Sequence, residues 1–206
     1  ETVGVLQAGF NEMMRGLQER QRVSDLFGRY VGTEVARRAL EEKPELGGET
    51  RRVAVLFVDV IGSTGFATEK EPQHVVKALN EFFDRVVEVV HSNKGIINKF
   101  EGDAALAVFG APLPLDDVAG HALAAARELK AKLQGLEFAA GIGVAAGSVV
   151  AGHIGAKDRF EYTVIGDAVN QAARLTDLAK KTPGQVLTSA ATPVSYTHLT
   201  LPTSDL

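Results

Sequence analysis

Residues 51–60, RRVAVLFVDV, run from Val53 to Val58 without a polar side chain before reaching Asp59. A strand with one wet face alternates apolar and polar residues. A continuous apolar run of this length is what a central strand buried on both faces requires. The rest of the chain must therefore supply cover for such a strand, and its patterning does so. Residues 72–95 place Val75, Val76, Leu79, Phe82, Phe83, Val86 and Val90 on one helical face, with Pro72 in the first turn and Gly95 at the stop. Residues 96–110 form a hairpin whose turn falls at Glu101-Gly102-Asp103. An Ala-rich helix over 116–136 is followed by a strand at 137–147 and two shorter strands at 148–155 and 159–166. A helix over 167–181, capped by Asp167, and a closing strand at 184–189 complete the order. The succession β-α-β-β-α-β points to a ferredoxin-like α+β core. No internal repeat is evident.

Residues 1–43 read differently. Leu6, Phe10, Met13 and Leu17 recur at helical spacing; the phase slips through Gln18-Glu19-Arg20-Gln21-Arg22 and resumes at Val23, Phe27 and Tyr30. Two readings fit: an amphipathic helix packed on its own domain, or a parallel dimer helix that passes a signal into the domain behind it. Pro44, Gly47 and Gly48 in EKPELGGET mark a linker or boundary. The last residues, SYTHLTLPTSDL, follow neither period and read as a frayed end or a foreign tail. The expected division is an N-terminal helical part at 1–43, a domain at 44–194 and a non-native or disordered tail at 195–206.

Composition narrows the class. Of 206 residues, 45% are hydrophobic and 23% charged, enough for a real core and a solvated surface. A net charge of −4 with no long basic block excludes a general nucleic-acid binder but leaves room for a local nucleotide site. With no cysteine in the chain, disulfides and thiolate metal sites are excluded. No apolar run reaches spanning length. The chain begins at Glu1 and carries no secretory signal pattern, so it reads as a fragment whose missing N-terminal part could contain membrane spans.

The candidate chemistry lies in three places. Asp59 ends the first strand and Asp103 sits in the hairpin turn; a strand–helix–strand crossover returns the chain to the same sheet, which puts the two side by side. Paired carboxylate oxygens there suit Mg²⁺ or Mn²⁺ bridging nucleotide phosphates, although an Asp after Gly is common in turns for conformational reasons alone. Between Asp59 and the next helix, the turn Ile61 to Gly65 (IGSTG) is small enough for backbone N–H groups to approach phosphate oxygens, but it is not a Walker motif and could be only a turn. Asn170 and Arg174, four apart, share one face of the helix after Asp167. An amide donor and a guanidinium fork there suit a phosphoryl group gaining charge, or form an ordinary solvated face.

The joint pattern decides between these readings. VAVLFVDVIGSTGF, INKFEGDAALAVFGAP, GIGVAAGSVVAGHIG and RFEYTVIGDAVNQAARL, in this order, resemble the class III nucleotidyl cyclases over about residues 50–192. Residues 1–31 are similar to the last helix of a HAMP domain running into a cyclase transducer helix, as in bacterial and mycobacterial membrane cyclases. The resemblance implies the nucleotidyl cyclase form of the ferredoxin-like fold and conversion of ATP to 3′,5′-cyclic AMP and pyrophosphate. It implies Asp59, Asp103 and the Ile61 carbonyl as ligands of two Mg²⁺ or Mn²⁺ ions, with Asn170 orienting the ribose and Arg174 stabilising charge on the α-phosphate. It places Gly62, Ser63, Thr64, Gly65 and Phe66 around the phosphates, and Lys99 and Thr163 on the base. Thr163 stands where many cyclases carry Asp, a departure; Lys99 favours ATP over GTP, for which an acceptor such as Glu would be expected. Each active site is expected to straddle a homodimer interface, in the cytoplasmic part of a cell-membrane protein. A guanylate cyclase and a silent cyclase-like dimerisation or sensor module are the alternatives, and the G-G-[DE]-E-F signature of diguanylate cyclases is absent. The resemblance also implies a further helix and strands after GQVLTS, including a lysine on the triphosphate; SYTHLTLPTSDL replaces them.

Overall fold

A computed structural model describes residues 2–33, 35–37, 45–182 and 185–189. The chain divides into two compact units, Glu1–Glu45 and Leu46–Leu206. In the first, helix α1 spans Thr2–Val31. Along it Phe10, Met13, Leu17, Val23 and Phe27 are all exposed, so the apolar spacing read from sequence lies on an uncovered stripe. Of the seam residues, Leu6 and Tyr30 have side chains outside the described set.

The second unit follows the order β1 (Gly47–Val60), α2 (Ser63–Glu69), α3 (Pro72–Ser92), β2 (Ile96–Glu101), β3 (Ala104–Phe109), α4 (Val118–Lys132), β4 (Ala140–Ala156), β5 (Arg159–Ile165), α5 (Asp167–Ala179) and β6 (Val186–Thr188). The sheet runs β2-β3-β1-β4-β5, and β6 adds to β4. β1 is central and antiparallel to both β3 and β4. Its apolar run splits by parity, as a strand covered on both faces must. Ala54, Leu56, Val58 and Val60 join α3 and α4 in one core, while Val53, Val55 and Phe57 join α5 in the other. The α+β fold expected from the sequence is the fold observed.

Tertiary contacts redraw several boundaries. β1 begins at Gly47, not Arg51, because Gly47–Arg52 pair with β4. Of the glycines read as a linker, Gly48 serves close approach, since a Cβ there would meet the Val150 side chain at 2.7 Å, and a Cβ on the opposite Gly152 would meet the Gly47 carbonyl at 2.1 Å. The strands expected at 137–147 and 148–155 are one continuous β4. The turn at IGSTGF is mostly helix α2, which starts at Ser63 behind Gly62. In α3, Val76 is exposed and Val89 takes a place in the core. Asp167 opens α5 as its first helical residue; Gly166 is the cap. The expected tail at 195–206, and the missing family elements it replaces, lie outside the described residues.

One packing detail fixes the site. Gly141, Gly143, Ala145 and Gly147 alternate along one face of β4, against Ala168, Ala172 and Thr176 of α5. A Cβ at 143 would meet the Ala172 carbonyl at 2.3 Å and the Thr176 N–H nitrogen at 2.5 Å, so α5 can lie this close only on glycine. The pattern GIGVAAG therefore sets the height of α5 over the sheet, and with it the positions of Asn170 and Arg174.

Candidate active site

The antiparallel register sets Glu101, Ala104, Asp59 and Gly141 in one row across four strands. Asp59 continues the parity of Val53, Val55 and Phe57, on the α5 face. Asp103 is next in the chain to Ala104, in the two-residue turn whose Gly102 has φ 66°. Directly opposed Cα atoms lie about 5 Å apart and neighbours along the chain about 4 Å. The two Asp Cα atoms are thus no more than about 9 Å apart. Both side chains are half-buried. The Ile61 amide donates to the Ala139 carbonyl at 2.8 Å, anchoring the peptide that follows Asp59.

A cation already faces Asp59. Lys180, just past the C-terminus of α5, lays its stem over Gly141 and donates from Nζ to Asp59 Oδ2, with Asp177 Oδ1 at 3.4 Å. Burial alone would lower its pKa; the hydrogen bond and charge of Asp59, then those of Asp177, outweigh burial and hold the ammonium above its usual value. Nothing in the residue pattern marks Lys180 out, since a lysine at a helix C-terminus is ordinary complementation of the helix dipole. The pair also shows what the site accepts. A half-buried carboxylate beside a second one draws a cation, and hard oxygen donors of this kind match Mg²⁺ or Mn²⁺. No cluster of three or more carboxylate or histidine ligands occurs among the described residues.

Asn170 and Arg174 lie on the exposed side of α5, and neither makes a side-chain hydrogen bond or ion pair among the described residues. Arg174 stands six residues before Lys180 and Asn170 ten, roughly 9 and 15 Å along the helix axis. Within one chain α5 presents its C-terminal end to Asp59 and carries the amide and guanidinium away from it. The structure brings the two aspartates together, but not the aspartates with Asn170 and Arg174.

Lys99 and Thr163, by contrast, lie on segments that touch through their neighbours. They sit on β2 and β5, the two ends of the strand order, yet Lys99 Nζ is 3.4 Å from Glu161 Oε1 and Thr163 Oγ1 donates to Asn98 Oδ1 at 3.3 Å. A bulge makes this possible: β2 pairs Ile97 with Ala107 and then Lys99 with Leu106, leaving Asn98 unpaired. Were Asn98 paired in a regular ladder, Lys99 would share a face with Ile97, toward α3. With the bulge, Lys99 shares the face of Leu106, toward α5. Thr163 is 6% exposed, one of two buried polar residues in the chain's described core.

Residues 47–200 match the family described as the adenylate and guanylate cyclase catalytic domain. The chain belongs to that family. Among curated relatives of this cyclase domain, an uncharacterized protein of Mycobacterium tuberculosis strain H37Rv is 57% identical over 192 residues, covering 92% of this chain and 36% of the relative. A second from the same strain is 56% identical over 190 residues, covering 91% and 35%. The domain thus spans about a third of the length of these relatives. Among solved structures, the guanylyl cyclase Cya2 is 34% identical with a TM-score of 0.63, over 73% of this chain and 80% of that one. The adenylyl cyclase CyaB of P. aeruginosa is 26% identical with a TM-score of 0.65, over 73% and 82%. A bacterial light-regulated adenylyl cyclase superposes over 90% of this chain and 57% of its own, with a TM-score of 0.79 at 20% identity, a likeness of fold.

Proposed function

We propose that this cyclase domain is an adenylate cyclase, forming cyclic AMP and pyrophosphate from ATP at sites shared between two copies of the chain. The observation that carries the reading is the division of labour within one copy: Asp59 and Asp103 adjoin at one end of β1, while Asn170 and Arg174 lie on the exposed side of α5, toward its other end from Lys180 and Asp59. A two-fold pairing supplies the second set from the partner and yields two equivalent sites. Uncovered apolar surface supports such pairing. Val150 and Ile165, opposite one another on β4 and β5, are 43% and 55% exposed, as is the stripe on α1.

Asp59, Asp103 and the Ile61 carbonyl would hold Mg²⁺ or Mn²⁺, which when bound lowers the cost of deprotonating the ribose 3′-hydroxyl and neutralises charge on the triphosphate. Gly62 to Phe66, where the chain turns from β1 into α2, would border the phosphates. Asn170 orients the ribose so that its 3′-oxygen faces the α-phosphorus. Arg174 meets the charge that grows on the α-phosphate as the new P–O bond forms and the bond to pyrophosphate breaks. Lys99 donates to adenine N1, and Thr163 accepts from the 6-amino group.

Among the described residues no helix is long and apolar enough to cross a membrane. The HAMP-like character of α1, a transducer role for it and a place at the cytoplasmic face of a membrane protein belong to this proposal, on the strength of its sequence pattern and the longer relatives. The guanylyl activity named for the 34% identical structure makes base choice the point to test. With Mn²⁺ present, ATP is expected to give cyclic AMP at least about tenfold faster than GTP gives cyclic GMP, one mispaired hydrogen bond's worth of discrimination. Equal or reversed rates would assign the guanylate reading, and no cyclic nucleotide from either the silent-module reading.

A further inference from the structure

The bulged Asn98 controls what Thr163 can recognise. The Asn98 side chain bridges the two ends of the sheet: Nδ2 donates to the Tyr162 carbonyl at 2.8 Å, and Oδ1 lies 3.3 Å from Thr163 Oγ1. Which end of the amide points where is set by chemistry. The Tyr162 carbonyl can only accept, so the NH₂ must face it and the amide oxygen must face Thr163. That oxygen in turn can only accept. The Thr163 hydroxyl owns a single proton, which is therefore committed to Asn98, leaving its lone pairs as the group's only offer to a ligand.

The two purines differ in just this respect. Adenine presents an amino donor at position 6, whereas guanine presents a carbonyl acceptor. A threonine whose proton were free could rotate to serve either base. One whose proton is spent on Asn98 serves adenine and sets lone pair against lone pair with guanine. At 3.3 Å the bond is long for O–H···O, so it directs the proton without tying Thr163 down strongly. The site is also sheltered: Thr163 is 6% exposed and Asn98 half-buried, so bulk water does not substitute freely for the amide. The bulge serves twice, turning Lys99 to the α5 face and releasing Asn98 from strand pairing so that it can reach β5.

We propose that Asn98 is a positioning residue for base selection: it fixes the Thr163 hydroxyl as an acceptor and so favours a 6-aminopurine nucleotide over a 6-oxopurine one. This rests on the adenylate cyclase reading, in which Thr163 faces the base.

The test compares kcat/KM for ATP and GTP in the full chain carrying Asn98→Ala, Asn98→Asp, Thr163→Val, and Thr163→Val with Asn98→Ala. Thermal unfolding is followed alongside. Asn98→Ala releases the Thr163 proton and is expected to lower the ATP-over-GTP ratio about tenfold, chiefly by raising GTP turnover. Asn98→Asp keeps an acceptor toward Thr163 and is expected to hold the ratio near wild type, even though losing the bond to Tyr162 lowers its melting temperature. In the Thr163→Val background Asn98→Ala is expected to leave the ratio where Thr163→Val alone puts it. If Asn98→Ala slows both nucleotides equally, or changes the ratio just as much without the Thr163 hydroxyl, Asn98 is merely structural and the inference is overturned. If the wild type shows no preference, or Thr163→Val leaves the preference unchanged, it is the reading of Thr163 as a base contact that fails.

Discussion

An equimolar mixture of Asp59→Ala and Arg174→Ala chains, each nearly inactive alone, is expected to recover about a quarter of the wild-type rate. Removing a preorganised donor such as Arg174 typically costs roughly 100- to 1000-fold in rate, and losing half of a metal-binding carboxylate pair costs at least as much. The recovery follows from symmetry. If chains exchange freely, about half of the dimers are mixed, and in each mixed dimer one of the two sites draws its aspartates from the arginine variant and its arginine from the aspartate variant. That site is intact; its companion carries both defects. The structure favours this outcome over a site built within one chain, because α5 brings Lys180 to Asp59 and holds Arg174 about 9 Å further along the helix, on its exposed side. Size-exclusion chromatography would first establish that both variants still associate. A mixture no more active than its components, with both variants dimeric, would contradict the shared site.

Lys99→Glu is expected to cut kcat/KM for ATP by about 100-fold or more. The exchange replaces a donor to adenine N1 with an acceptor, leaving two acceptors facing each other, and a buried polar group left unpaired costs about 1–3 kcal/mol. A second penalty is local to this chain. Lys99 lies 3.4 Å from Glu161 and 3.8 Å from Glu101, so glutamate at 99 would gather three carboxylates where one ammonium now balances two. Adding Glu161→Gln is therefore expected to restore expression and stability without restoring use of ATP. If Lys99→Glu keeps the wild-type kcat/KM for ATP, the base does not rest on Lys99.

The sequence was most legible where a pattern has one structural solution. The apolar run at 53–58 could only be a strand covered on both faces, and it lies at the centre of the sheet. The hairpin turn at Gly102-Asp103 was readable because a glycine between two apolar strands has few other uses, and it delivered Asp103 beside Asp59. Glycine misled where its role was close approach rather than flexibility. Gly48 looked like a linker, and Gly147 like the end of a strand, because the strand and helix that crowd them come from distant parts of the chain. Lys180 and Asn98 were not legible. A helix-end lysine and a strand asparagine are unremarkable residue by residue, and each acquires its meaning from a partner at the far side of the fold: Asp59 for one, Tyr162 and Thr163 for the other.

The proposed chemistry requires Asp59 and Asp103 to act as one cation site. Mn²⁺ binding to the wild-type chain, followed by electron paramagnetic resonance with a non-cyclisable ATP analogue present, measures this without turnover. Asp59→Asn and Asp103→Asn are each expected to weaken binding by a similar large factor, with the double variant little worse than either single one, as for groups that work as a unit. Mn²⁺ affinity unchanged in either single variant, or losses that simply add, would mean that the two carboxylates do not share an ion.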